Sequence, residues 1–148
     1  MILISHRGNL SGPSEDENRP KYVIEALKQG YHVEVDVWYR NGTYYLGHDK
    51  PEHRTSGKLL RHPMVWTHAK DVKTLQNLLF SLEVHTFFLE GFGHTLTSRS
   101  YIWSSAEMLG QITKRSIIAL PENNRRLTQK DLEFAHGICT DYVYKYGR

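Results

Sequence analysis

The opening run Met1-Ile-Leu-Ile-Ser-His-Arg-Gly8 ends a short apolar stretch on an imidazole, a guanidinium and a flexible turn. Glu34 and Asp36 follow two residues apart, and His48 stands beside Asp49. Two histidines, paired carboxylates and an arginine within fifty residues are the parts for metal-assisted cleavage of a phosphate ester. A phosphodiester is already negative and resists attack. Its cleavage calls for positive charge on the nonbridging oxygens and for proton transfer at both the attacking and the leaving oxygen. A divalent cation held by carboxylates meets the first need. Imidazoles, which titrate near neutral pH, meet the second.

Each of these residues also has an ordinary role open to it. His6 could be a core histidine bonded to a backbone carbonyl, and His48-Asp49 could be a plain turn. Glu34 and Asp36 could be exposed charges on an edge strand. Against that stand Val33, Val35 and Val37, which alternate with the acids and mark a buried strand. Period two places the valines on one face and both carboxylates on the other. Buried carboxylates are unfavourable unless they are paired or bound to a metal.

The elements that must position these groups alternate along the chain. Strands are predicted at about 2–6, 32–38, 64–68, 86–90, 100–104, 116–120 and 138–142, the last leading into a short polar tail. Helices are predicted from Pro20 to Lys28, stopped at Gly30, from the cap Asp71 to Leu82, and from Thr128 to Ala135 with a capping box at Thr128 and Asp131. Asn41-Gly42 is a tight-turn signal. It should fold residues 38–40 against Thr43–Leu46 as a hairpin and return His48-Asp49 to the level of Glu34 and Asp36.

Such alternation argues for a parallel sheet. The fold expected is α/β: an abbreviated TIM-like (β/α) barrel with reduced outer helices and a β-hairpin after strand 2. A complete barrel needs roughly 200 residues or more, and residues 1–148 read as one domain. An open doubly wound sheet is the structural alternative. The glycine fingerprints of dinucleotide and P-loop sites are absent, which counts against its nucleotide-binding versions.

Composition narrows the partners. A net charge of +3 with scattered basic residues lacks the patch or stripe of a nucleic-acid binder, so no nucleic-acid partner is expected. No run approaches the roughly 18 apolar residues of a membrane span. Met1 leads straight into the first strand with no secretory leader, and the single cysteine, Cys139, suits a reducing compartment. A cytoplasmic location is the expectation.

His6-Arg7-Gly8, Glu17-Asn18, the stretch from Ile24 to Gly30, Val33-Glu34-Val35-Asp36-Val37 and Leu46-Gly47-His48-Asp49 occur in that order. Together they resemble the glycerophosphodiester phosphodiesterases, within the wider group of barrel phosphodiesterases that includes phosphatidylinositol-specific phospholipase C. Fainter echoes follow at Thr67-His68-Ala69-Lys70, where the family reads Glu-x-Lys, and at Cys139-Thr140-Asp141, where its last strand ends in Thr-Asp.

The resemblance implies a barrel with its site at the carboxyl ends of the strands. It implies His6 and His48 as general acid and base, Glu34 and Asp36 as ligands of a divalent cation (calcium or magnesium), Arg7 and Lys70 as phosphate holders, and Glu17 in the shell near the metal. The substrate implied is a small or lipid-derived phosphodiester. The family's third carboxylate is replaced here by His68, leaving Glu90, Glu122, Asp49 and His68 itself as candidates to complete the site. That departure leaves two other functions open: a catalytically inactive barrel that binds a phosphorylated ligand or serves as a structural module, and a phosphodiester lyase acting on phospholipid head groups.

Overall fold

The computed structural model describes residues 1–108 and 110–147. Its framework is a curled mixed sheet with few helices. Along the chain run β1 (Ile2–His6), α1 (Pro20–Lys28), β2 (His32–Arg40), β3 (Thr43–Leu46), β4 (His53–Thr55), α2 (Gly57–Leu60), β5 (Val65–Ala69) and α3 (Val72–Asn77). Then come β6 (Thr86–Phe88), β7 (His94–Leu96), β8 (Ile102–Ser105), β9 (Ser116–Ala119), α4 (Gln129–Phe134), β10 (Gly137–Thr140) and α5 (Val143–Tyr146). A wide helical turn, Leu78–Leu82, continues α3, and a single 3-10 turn, Pro121–Asn123, follows β9.

The strands expected from the sequence are present and run parallel in the order β8-β9-β10-β1-β2-β5-β6. The hairpin is present as well: β2 and β3 pair antiparallel from Val37–Leu46 to Arg40–Thr43. Val37 pairs with both Leu46 and Ala69, so β3 and β5 lie on opposite edges of β2.

Pro20 begins α1, where its missing N–H has no partner to lose, and Gly30 ends it with φ +86°. Asp71 caps α3 by accepting from the Thr74 N–H. The expected helix to Leu82 loosens after Asn77 into the wide turn, which ends at Glu83 in a left-handed conformation. The capping box of α4 forms as the sequence indicates. The predicted polar tail instead carries the one-turn helix α5.

Three short elements lack a sequence signal: β4, which pairs only with β3, the short α2, and β7, which runs antiparallel to β8. Among the described residues no ladder joins β6 to β7 or β8. The approach between them is made instead by a backbone bond from Ser98 N to Thr86 O (2.9 Å) and by Phe87 stacked on Trp103 with ring centroids 4.3 Å apart. No described helix is long and apolar enough to cross a membrane.

Period two sorts the two faces of the sheet. Val33, Val35, Val37, Val65 and Ala69 pack outward against Val23 and Ala26 of α1 and Leu78 of the wide turn. Inside the curl, Ile4, Trp66, Phe87, Trp103, Ile117 and Cys139 form a second cluster. Ile118, Ile138 and Leu132 form a third beneath α4. At matched register, side chains of neighbouring parallel strands share a face. His6 is level with Glu34, Asp36 with His68, and His68 with Phe87. These polar residues therefore stand on the inner face, above the aromatic cluster and toward the carboxyl ends of the strands.

Candidate active site

β1 delivers His6 to the inner face and then turns sharply. Arg7 has φ +55°, unusual for a residue with a side chain, and Gly8 follows with φ +94°. A side chain at Gly8 would strike the Tyr22 ring 2.6 Å away, so only glycine fits between this turn and α1. Two backbone bonds hold the strained Arg7 in place: its N–H donates to Glu34 O (2.9 Å) and its carbonyl accepts from Asn18 N (3.0 Å). Strain of this kind is worth of order 1–3 kcal/mol and persists only where the surroundings fix it.

His6 Nδ1 lies 2.7 Å from Asp141 Oδ1. The aspartate accepts, so Nδ1 carries the proton and Nε2 is left 3.9 Å from Glu34 Oε2. Burial alone would lower the pKa of His6. The hydrogen bond to Asp141 and the charge of Glu34 outweigh burial and the nearby Arg7, and leave it above its ordinary value. Asp141 is held in turn. Its Oδ1 accepts from Asn9 Nδ2 (2.7 Å), and its N–H donates to Glu122 Oε1 (2.9 Å). Burial pushes the Asp141 carboxyl up, but the bond and charge of His6, with Asn9 and Arg7, bring it below its usual range.

β2 carries the paired acids, which are 2% and 1% exposed. Asp36 Oδ2 accepts from Asn18 Nδ2 (2.9 Å) and lies 2.9 Å from Arg7 Nε. Its Oδ1 lies 3.3 Å from His68 Nδ1 and 3.5 Å from Lys70 Nζ. Burial opposes ionisation, yet the close His68 ring and the charges of Arg7 and Lys70 hold Asp36 far below the usual carboxylate range. Glu34 goes the other way. Burial and then the Asp36 charge raise its pKa, and His6, His68 and Arg7 offset part of the rise. Of the two acids, Glu34 takes up a proton first.

Two buried acceptor atoms, Glu34 Oε2 and Asp36 Oδ1, have no hydrogen-bond partner. Unpaired buried carboxylate oxygens are unfavourable by several kcal/mol unless something positive meets them. Glu34, Asp36 and His68 also offer ligand atoms that all lie within 4.8 Å of one another. The donors present therefore fit a cation.

One cavity of about 220 Å³ gathers the machinery. His6, Arg7, Glu34, His48 and His68 line it on one side, with Leu89, Phe92, Trp103 and Leu120 among the apolar residues opposite. His48 reaches it because the hairpin closes. Gly47 N–H donates to Asp36 O (3.1 Å), and Trp38 Nε1 donates to Gly47 O (2.7 Å). His48 is half exposed at the rim, with Nδ1 2.8 Å from Asp49 Oδ1. A larger open groove of about 880 Å³ lies between α1 and β4 and contains none of these groups.

Of the remaining sequence candidates, all but His68 fall outside the three-ligand group. Glu17 accepts from Arg7 Nη1 (3.0 Å) and Asn9 Nδ2 (2.8 Å) and braces the first turn. Asp49 is 91% exposed and serves His48. Glu90 is exposed and does not line the cavity, although Leu89 and Gly91 on either side do. Glu122 braces the end of β10 through Thr140 Oγ1 (3.0 Å) and Asp141 N. Lys70 is a counter-charge to Asp36 and does not line the cavity. His68 joins the two acids.

Asn9, Asn18 and Asp141 hold roles in the site that the sequence alone did not assign them. Asn9 is fully buried, and its amide bridges Glu17 and Asp141. Asn18 clasps Asp36 twice, by donating to Oδ2 and by accepting from the Asp36 N–H (3.0 Å). Their signal was present: an asparagine directly after His6-Arg7-Gly8, and another beside Glu17 in a loop otherwise rich in exposed residues. No family model matches this chain, and no curated protein or solved structure matches it.

Proposed function

We propose that this chain is a metal-dependent phosphodiester hydrolase, similar in its site to the glycerophosphodiester phosphodiesterases, on a reduced TIM-like barrel. The observation that carries the reading is the convergence of an Asp141-held His6, a second histidine, Glu34 and His68 on one cavity, with Asp36 directly behind the last two. A bound divalent cation would supply Lewis-acid neutralisation of the phosphate oxygens. The substrate is a small phosphodiester.

In this reading Arg7 grips a nonbridging oxygen. Its Nε and Nη1 are engaged by Asp36 and Glu17, which aligns the guanidinium, and Nη2 has no protein partner among the described residues. Lys70 holds Asp36 ionised and does not touch phosphate. His6, whose pKa is raised against its burial by Asp141 and Glu34, holds its second proton more firmly than a free imidazole and is the general acid. It hands the Nε2 proton to the leaving alkoxide as the P–O bond breaks, while Asp141 stabilises the ring. His48 takes the proton of the attacking hydroxyl, from water or from the substrate itself, as the new O–P bond forms. Each histidine role is worth about 10²–10⁴ in rate.

The test is hydrolysis of bis(p-nitrophenyl) phosphate and of glycerophosphodiesters by metal-stripped protein titrated with divalent cations. Turnover should appear with metal and fall by about 10²–10⁴ in H48A. A failure of every cation tried to produce turnover sinks the proposal. A ring-opened monoester product indicates hydrolysis, and a cyclic phosphate as the end product indicates the lyase alternative.

A further inference from the structure

His68 is the residue by which this site departs from an all-oxygen cation site, and its surroundings give that departure a meaning. The imidazole is fixed on two sides. Its ring stacks on Phe87, with centroids 4.8 Å apart and planes 12° from parallel. Its Nε2 lies 3.1 Å from the Leu89 carbonyl oxygen. A carbonyl only accepts, so Nε2 carries the proton in this bond. Its Nδ1 then faces Asp36 Oδ1 at 3.3 Å and Glu34 Oε1 at 3.8 Å. One ring nitrogen and two carboxylate oxygens turned toward one point call for a positive centre between them, a proton or a metal ion. The arrangement matches the way metal-bound histidines are oriented, with one ring nitrogen donating to a carbonyl and the other facing the ion.

The carboxylates are equally fixed. Asp36 Oδ2 is held by Asn18 and Arg7, which leaves only Oδ1 to offer. Glu34 Oε2 and Asp36 Oδ1 are buried carboxylate oxygens without a hydrogen-bond partner. The protein thus presents one aromatic nitrogen and a small number of oxygens from a rigid, largely dry pocket. Calcium takes six to eight oxygens at about 2.3–2.6 Å in flexible sites, and magnesium prefers octahedral oxygen. Imidazole beside carboxylate suits the later first-row ions, whose affinity for such donors rises toward copper and zinc.

We propose that the Glu34–Asp36–His68 group selects a nitrogen-tolerant transition cation of the Fe²⁺, Co²⁺ and Zn²⁺ class over Ca²⁺ and Mg²⁺, with His68 Nδ1 as the selecting donor. The inference rests on the metal-dependent reading above and narrows it. Lys70, 3.5 Å from Asp36 Oδ1, competes for the same oxygen and weakens binding of any ion that relies on charge alone. That competition acts against the hard cations more than against one gaining a nitrogen bond.

The test is metal binding by the metal-stripped full chain, read by calorimetry with CaCl₂, MgCl₂, ZnCl₂ and CoCl₂ and by the visible absorption of bound Co²⁺. Co²⁺ and Zn²⁺ should bind at least about tenfold tighter than Ca²⁺ or Mg²⁺. H68Q should weaken Co²⁺ by about 10–100-fold and change its spectrum. H53Q, at a histidine near Glu52, should do neither. Should H68Q fold poorly, the wild-type protein still decides: bound Co²⁺ should shift the ring-proton resonances of His68.

Equal or tighter binding of Ca²⁺ or Mg²⁺ overturns the inference, as does a Co²⁺ site that leaves the His68 resonances unmoved. So does an absence of metal binding, which would make a proton the positive centre. Turnover with an oxygen-only cation would sink this inference and leave the hydrolase reading intact. Co²⁺ bound through His68 without turnover would do the reverse.

Discussion

The chemistry of single residues was legible wherever it followed local period, and illegible wherever a partner lay far along the chain. Glu34 and Asp36 could be read from their alternation with valines, and the structure buries both on the inner face. Asp141, 135 residues from His6, could not be paired with it by spacing, because the pairing arises from the parallel register of β1 with β10. That bond makes a sharp prediction. Asp141 raises the pKa of His6, and the proposed reaction needs His6 protonated, so activity should fall as pH rises through the His6 pKa. D141N removes the charge and should move this alkaline limb to lower pH. An unmoved limb would mean that His6 is not the general acid. E122A should move the limb in the same direction but less far, since Glu122 holds Asp141 through its backbone N–H and through Thr140, not through its carboxylate.

At the scale of elements, the strands and capped helices followed their signals, and the pieces that close the site did not. Asn41-Gly42 announced the hairpin because both positions need a left-handed backbone, and both have positive φ, +50° and +79°. The return of His48 to the cavity depends less visibly on Gly47. Its φ is +156°, and a Cβ there would collide with the Lys50 carbonyl oxygen. G47A should therefore destabilise the fold by about 1–3 kcal/mol and reduce turnover by displacing His48. G42A, where a Cβ meets nothing within 4 Å, should incur only the backbone penalty of about 1–2 kcal/mol and leave turnover intact. Urea unfolding and kcat for the two variants check this, and equal losses of turnover would contradict it. The elements β4 and β7 are three residues each, too short to show a period, and owe their extended form to the neighbours they pair with.

For the whole molecule, the alternation of strands and helices sufficed to indicate a parallel sheet curling around a site. The approach of its two ends was not legible, because it rests on stacked aromatics and isolated bonds instead of a ladder. The opposite end of the curl carries imidazoles that make the fold acid-sensitive. His85 is buried against Trp66, with Nε2 2.8 Å from Thr97 Oγ1. Burial, then Arg99 and His32, lower its pKa from 6.5 to about 4. Between those values the unfolded chain binds a proton that the folded one refuses. The stability contributed by neutral His85 is therefore complete above the unfolded pKa and is lost as pH falls, at up to about 1.4 kcal/mol per pH unit. His32 and His136, also lowered by burial and by positive neighbours, act in the same direction. Urea midpoints at pH 7 and pH 5 should differ less in H85Q than in the wild type, and an identical difference would contradict the assignment. The cavity at the carboxyl ends stands on a more direct measurement: turnover of a glycerophosphodiester, followed by phosphorus NMR, for metal-loaded wild type and H6A side by side. We expect steady hydrolysis by the wild type and a rate about 10²–10⁴ lower for a folded, metal-binding H6A; equal rates, or none in either, would contradict a proton-donating His6 at a phosphodiester site.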